Sequence, residues 1–234
     1  MTDLSELREL VWQQNKRLPA EGLVSLTWGN VSGRVADRVA IKPSGVPYPN
    51  MTPEDIVVVD LDGNVVEGHL RPSIDTATHL ALYRAFPDIS GVVHAHSTYG
   101  TVFAQARLPI ECLGTTHADH FAGPIPVTRQ LSADEVATAY EENTGRVIVE
   151  HFESNGINPV YVPGVLAAGH APFVWGDSAV TAVDNTVALE ASAHMALLTG
   201  MLTGLRPDRL EDWILAKHHE RKHGVNAYYG QGQQ

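Results

Sequence analysis

Leu4, Leu7 and Val11 recur at spacings of three and four, so one face of the first segment is apolar and an amphipathic helix is predicted there. Pro19 and Gly22 are expected to stop it. From Leu23 to Val66 the pattern changes to short runs of β-type residues. Among these, Ile56 to Asp60 and Val65–Val66 flank Asp62-Gly63-Asn64, a hairpin signal. Ser73 is placed to cap a helix of about Ile74 to Phe86, closed by Pro87. Gly91 to His96 reads as a buried strand and residues 98–106 as a helix of small residues. Ser132 and Glu135 form a capping box that opens a helix running to about Tyr140 or beyond. Val165 to His170 is a further candidate strand, and long amphipathic patterns cover roughly 178–203 and 208–222. Helices flanking a sheet that contains hairpins predict an α/β fold class, a three-layer α/β/α architecture around a central, largely antiparallel sheet. No linker, low-complexity block or repeat divides the 234 residues, so one domain is expected over 1–234.

Composition narrows the partners. Hydrophobic residues make up 44% and charged residues 18%, a globular balance with enough apolar mass for a sizeable core. The net charge of −11 opposes a nucleic-acid partner, whose phosphates require a basic surface, but leaves room for a small anion in a local pocket. A single cysteine, Cys112, allows no intrachain disulfide and points to a reducing, cytoplasmic compartment. The first ten residues carry Asp3, Glu6 and Glu9 and lack the order of a secretion signal. No apolar stretch is long enough for a bilayer, so no membrane partner is expected. Twelve histidines against 16 Lys plus Arg turn attention to metal ligation.

His94-Ala95-His96 ends the apolar run Val92–Val93. Residues i and i+2 of a strand share a face, so both imidazoles can reach one ion. His170 ends a second apolar run, Val165 to Ala168. Three histidines with an open coordination position are the pattern of a catalytic Zn²⁺ site, with Mn²⁺ or Co²⁺ as alternatives. The same residues also read as hydrogen-bonded core or turn histidines. A His-x-His pair can mark a cupin-type oxygenase too, although the glutamate expected shortly after it is missing. Two loops suit an anion. Lys42-Pro43-Ser44-Gly45 offers an ammonium, a hydroxyl and a glycine amide, and Arg71-Pro72-Ser73 leads into a helix N-terminus. Each also reads as a plain turn or cap. Asp75 in a first helical turn, Asp119, and the tyrosines of Ala227-Tyr228-Tyr229-Gly230 are acid–base candidates.

Taken together, Trp28-Gly29-Asn30-Val31-Ser32, Lys42 to Gly45, Arg71 to Thr76, Val93 to Ser97, Gly114 to Asp119, Pro163 to Leu166, Arg221 to Gly224 and Ala227 to Gln231 resemble the class II aldolase/adducin family, in the same order and at nearly the same spacing. The likeness runs from about residue 4 to residue 231. Its C-terminal motifs and the Gly114-Thr115-Thr116-His117-Ala118-Asp119 run resemble the family's sugar-phosphate epimerase branch more than its aldolases.

This resemblance implies a metal-dependent 4-epimerase interconverting L-ribulose 5-phosphate and D-xylulose 5-phosphate by retro-aldol cleavage of C3–C4. The family's alternatives are an aldolase that releases both fragments and an adducin-type interaction module. It implies a homotetramer with active sites at subunit interfaces, and His94, His96 and His170 as the metal ligands. Asn30, Lys42, Ser44, Gly45, Ser73 and Ile74 match substrate or phosphate positions, and Asp75 stands where the aldolases carry a glutamate. Asp119 and Tyr229 match a proton-exchanging pair, Tyr229 arriving from a neighbouring subunit, while Thr115, Glu141, His218 and Arg221 match accessory positions, Thr115 and Arg221 among them as substrate- or phosphate-binding residues. Ile74 departs from the family's usual Pro-Ser-Ser-Asp run and removes one hydroxyl from the expected phosphate site.

Overall fold

The computed structural model describes residues 4–204, 206–224, 227 and 228. Seven strands form one sheet: β1 (Asn30–Val35), β2 (Arg38–Ile41), β3 (Val57–Asp60), β4 (Val65–Glu67), β5 (Gly91–His94), β6 (Gly164–Leu166) and β7 (Pro172–Gly176). Their order is β4-β3-β2-β1-β5-β7-β6, and every neighbouring pair is antiparallel. The helices are α1 (Leu4–Ala20), α2 (Thr76–Ala85), α3 (Thr98–Ala106), α4 (Thr115–Ala118), α5 (Ala133–Asn155), α6 (Ala179–Leu202) and α7 (Asp212–His223). No helix among the described residues is long and apolar enough to cross a membrane.

Period-two alternation sorts the strand side chains onto two faces. Val31, Ala40, Val58 and Val93 meet Leu7, Val11 and Leu18 of α1 and Ala182 and Val183 of α6. Val39, Val57, Val59, Val92, Phe173 and Trp175 face the other way, onto Leu80, Leu82 and Tyr83 of α2 and Ile148 and Phe152 of α5. A third cluster packs Leu166 and Val174 against Ala104 of α3 and Leu189 of α6. The α/β/α layering expected from the pattern is therefore present. On the α2/α5 side, Trp175 lies 5.3 Å from Phe86 and 5.2 Å from Phe152 between ring centroids. Such pairs contribute about 0.5–1.5 kcal/mol beyond their burial.

Several boundaries move. Pro19 sits within the last turn of α1, and the chain leaves the helix through Gly22 at φ 71°. The Asp62–Asn64 hairpin forms as expected, its turn held by the Asp60 carboxylate, which accepts from the amides of Asp62 and Asn64 at 3.0 and 2.9 Å. The capping box at Ser132 and Glu135 is present, but α5 continues far past Tyr140, through a break at Ala139 (φ −158°, ψ 75°). The Asn143 amide nitrogen donates to the Glu135 carbonyl at 2.8 Å there, satisfying a group the break releases. The helix expected from 74 begins at Thr76 with Asp75, not Ser73, in the capping position. β5 stops at His94, so His96 lies beyond the strand. The run expected over 165–170 ends at Leu166, leaving His170 in the turn before β7, a strand the sequence reading did not separate.

Candidate active site

Antiparallel pairing gathers the site at one end of the sheet. Asn30, the first residue of β1, is the register partner of His94, the last of β5, and His94 pairs in turn with Phe173 near the start of β7. His170 enters from the turn just before β7. His96 follows β5 by two residues.

The three Nε2 atoms converge. His96 Nε2 lies 3.1 Å from that of His94 and 3.2 Å from that of His170. Nitrogens bound at about 2.0–2.1 Å to one tetrahedral ion stand roughly 3.3 Å apart, so the cup is close to the size a metal requires. The tautomer of His94 is set from behind, because its Nδ1–H donates to the Pro172 carbonyl at 3.0 Å and turns the Nε2 lone pair inward. Its ring also stacks on Phe173 at 4.2 Å and 15°. The Tyr140 hydroxyl stands 3.4 Å from His170 Nδ1. Burial, together with His94, lowers both His96 and His170 to about 4. Both rings are thus neutral and able to donate a lone pair at neutral pH. Three facing acceptors with no intervening donor fit a divalent cation.

Beside the cup lies a continuous polar run. The Asn30 amide nitrogen donates to Asp75 Oδ2 at 2.6 Å and to Ser73 Oγ at 3.1 Å. Asn30 Oδ1 is buried and meets no donor among the described residues, so it can accept from a substrate hydroxyl. The Lys42 and Ser73 loops are tied together by Ser73 N–H to the Lys42 carbonyl (3.0 Å) and Ser44 N–H to the Arg71 carbonyl (2.9 Å). Lys42 is only 2% exposed, lies over the Tyr48 ring, and spends one hydrogen bond at 3.3 Å on the Pro43 carbonyl. Burial pushes its pKa down, against the pull of Asp75. Burial also raises the Asp75 carboxyl, but His94, His79 and the Asn30 amide outweigh it and hold the group below the usual carboxylate range. Gly45 has φ 71° and open space around it. Ile74 is 69% exposed and sits in the turn before α2, not in the helix.

A second cluster forms elsewhere. Arg221 on α7 donates to both oxygens of Asp119, at 3.1 and 2.8 Å, and His218 Nδ1 lies 3.0 Å from Oδ1. Burial raises the Asp119 carboxyl, yet these two partners bring it below its ordinary value. Thr115 is exposed at the start of α4. No hydrogen bond among the described residues joins this cluster to the three histidines, so the structure divides the sequence candidates into two groups. Tyr229 lies outside the described residues. Tyr140 was missed from sequence, because only the break in α5 turns its side chain towards His170.

The sheet end thus carries three inward imidazoles that could hold a metal ion, beside a buried lysine and two tied loops. The sequence model of the class II aldolase and adducin N-terminal domain matches residues 9–197. The L-ribulose-5-phosphate 4-epimerase UlaF of Salmonella paratyphi A is 52% identical over 231 residues, covering 97% of this chain and all of that protein. Among solved structures, an L-fuculose 1-phosphate aldolase superposes with a TM-score of 0.76 at 26% identity, over 92% of this chain and 95% of its own. The L-fuculose-1-phosphate aldolase of Thermus thermophilus gives 0.67 at 26%, over 85% and 97%. The chain belongs to the class II aldolase and adducin family, and its three imidazoles form a group that could hold a divalent metal.

Proposed function

We infer that the chain is a metal-dependent epimerase that interconverts L-ribulose 5-phosphate and D-xylulose 5-phosphate. The observation that carries this reading is full-length similarity to an L-ribulose-5-phosphate 4-epimerase in a chain whose three imidazoles stand next to the tied Lys42 and Ser73 loops. The C4 hydrogen of the substrate is not adjacent to a carbonyl, so its direct removal is unfavourable, whereas retro-aldol cleavage of C3–C4 followed by re-addition inverts C4 without it. A divalent ion on His94, His96 and His170, Zn²⁺ with Mn²⁺ or Co²⁺ as alternatives, would supply Lewis-acid stabilisation of charge on substrate oxygen.

The protein groups hold and protonate. Lys42, Ser44, Gly45 and Ser73 grip the phosphate, and the exposed Ile74 leaves that grip to its neighbours. The phosphate keeps the two-carbon fragment tethered while its carbonyl turns over. Asn30 accepts a substrate hydroxyl at Oδ1, with Asp75 fixing the amide. Asp119 and Tyr229 exchange the proton on the C4 oxygen from opposite sides, because inversion presents that oxygen in two orientations. Thr115 and Arg221 support Asp119, the latter through its bidentate pair. A homotetramer, with Tyr229 acting across an interface, accounts for the exposed apolar residues Met195, Leu198, Met201, Leu202 and Trp213 on and beyond the end of α6. One domain and a cytoplasmic location complete the proposal.

Purified protein supplied with L-ribulose 5-phosphate is expected to form D-xylulose 5-phosphate, to lose activity with a chelator and to regain it with a divalent metal. Accumulation of glycolaldehyde phosphate would instead make it an aldolase, and equal turnover of free L-ribulose would remove the phosphate site from the reading. A mixture of inactive Asp119→Asn and Tyr229→Phe proteins should regain partial activity after subunit exchange. No recovery despite proven exchange would contradict a shared site.

A further inference from the structure

His96 is the ligand with the least behind it. His94 is held by the Pro172 carbonyl and by Phe173, and His170 has the Tyr140 hydroxyl at its outer nitrogen. Among the described residues, His96 Nε2 faces the other two imidazoles, its ring lies 6.3 Å from that of Trp28, and its outer nitrogen meets no hydrogen-bond partner. It also lies outside the β5 ladder. The backbone on which its ring depends runs directly into the N-terminus of α3.

That terminus is not capped locally. Ser97 occupies the capping position, yet its hydroxyl makes no cap bond and lies buried without a partner among the described residues. The amides of Tyr99 and Gly100 donate instead to Glu190, one to each carboxylate oxygen, both at 2.9 Å. Glu190 is on α6. One turn further along α6, His194 stacks on the Tyr99 ring at 3.9 Å and 7°. Leu189 packs against Gly100, where an added Cβ would meet Leu189 Cδ2 at 3.0 Å and Pro172 Cγ at 2.6 Å. Three residues of α6, Leu189, Glu190 and His194, thus grip the first turn of α3, three and four residues past His96. Pro172, whose carbonyl orients His94, is part of the same contact.

We propose that Glu190 is a positioning residue for the metal centre: by taking the two amides it fixes the 96–100 backbone and so aims the His96 imidazole. The proposal rests on the reading of the three histidines as metal ligands. A carboxylate suits the task because it accepts from two N–H groups at once and its charge complements the helix terminus. Glutamine in its place keeps one acceptor and turns an NH₂ donor towards the second amide. Aspartate keeps the charge but falls short by one methylene.

The test measures Co²⁺ affinity by chelator competition, together with the visible absorption of the bound ion, in the full chain. Glu190→Gln is expected to raise the Co²⁺ dissociation constant about 10–100-fold, the usual effect of losing an outer support of a ligand, and to shift the absorption band. Glu190→Asp should fall between this variant and the wild type. Ser132→Ala, which removes the hydroxyl cap of α5, should lower the melting temperature and leave affinity and band unchanged. Wild-type affinity and spectrum in Glu190→Gln would reduce Glu190 to a helix cap and overturn the proposal. If that variant does not fold, the same result in Glu190→Asp overturns it. Equal weakening by Ser132→Ala would overturn it as well. A wild-type protein that binds no Co²⁺ would remove the metal reading itself, a failure distinguishable from the others.

Discussion

Replacing His94 with alanine is expected to take bound metal from one ion per chain to nearly none and to lower turnover by about a thousandfold. His94 is the most constrained of the three imidazoles: buried, stacked on Phe173, and fixed in tautomer by the Pro172 carbonyl. A pre-oriented lone pair of this kind cannot be replaced by water held in the same place. Lewis-acid stabilisation supplies several kcal/mol to such a reaction, and each 1.36 kcal/mol is a factor of ten in rate. The variant also loses a ring from a tightly packed sheet end, so its stability should fall relative to metal-free wild type by about 2–4 kcal/mol. Metal analysis beside urea unfolding separates the two effects. A His94→Ala protein that retains one ion per chain and an unchanged rate would refute the three-histidine centre.

The contrast between the histidines shows what the sequence could and could not carry. The His-x-His pattern suggested two ligands on one face of a strand. The imidazoles do converge, but β5 ends at His94 and His96 lies past it, just before α3. Periodicity reports which side chains share a face and says little about contacts made by a helix distant in sequence. Glu190 lies 94 positions from His96 and belongs to an amphipathic pattern that predicts only its helix. The same limit hid Tyr140, since nothing local announces the break at Ala139.

Local signals with a complete mechanism did succeed. The Asp-Gly-Asn hairpin and the Ser132–Glu135 box each contain all their hydrogen-bonding partners within five residues. Signals with one partner missing did not. Ser73 looked like a cap, but its hydroxyl is engaged by Asn30, 43 positions away, and the capping position passes to Asp75. β7 escaped separation because a five-residue strand buried on both faces has no alternation to show. Strand order depends on long-range pairing and left no trace in the pattern at all.

Gly29 offers a test in which fold and site fail together. Its φ of 77° lies in the left-handed region, where a side chain costs about 1–2 kcal/mol. A Cβ there would stand 2.7 Å from the His94 carbonyl oxygen, 2.8 Å from Val24 Cγ1 and 3.3 Å from Ala95 Cα. Two of those atoms are backbone of the segment that carries His94 and His96 and cannot swing aside as a flexible side chain could. The Tyr48 hydroxyl, 2.8 Å from the carbonyls of Trp28 and Gly29, holds the loop from the other side and blocks its retreat. Gly29→Ala should therefore destabilise by about 3 kcal/mol or more, the range of core overpacking added to backbone strain, and displace His94 enough to weaken metal binding. Gly45→Ala is the matched comparison. It has nearly the same φ, 71°, but nothing within 4 Å of the added carbon. Its cost should stay near the backbone strain alone, about 1–2 kcal/mol, with metal affinity unchanged and the loss confined to substrate KM. Thermal unfolding and metal titration of the two variants side by side decide the matter. Equal stability losses, or an intact metal site in Gly29→Ala, would show that the contact between the Gly29 turn and the His94 carbonyl does not set the geometry of the centre.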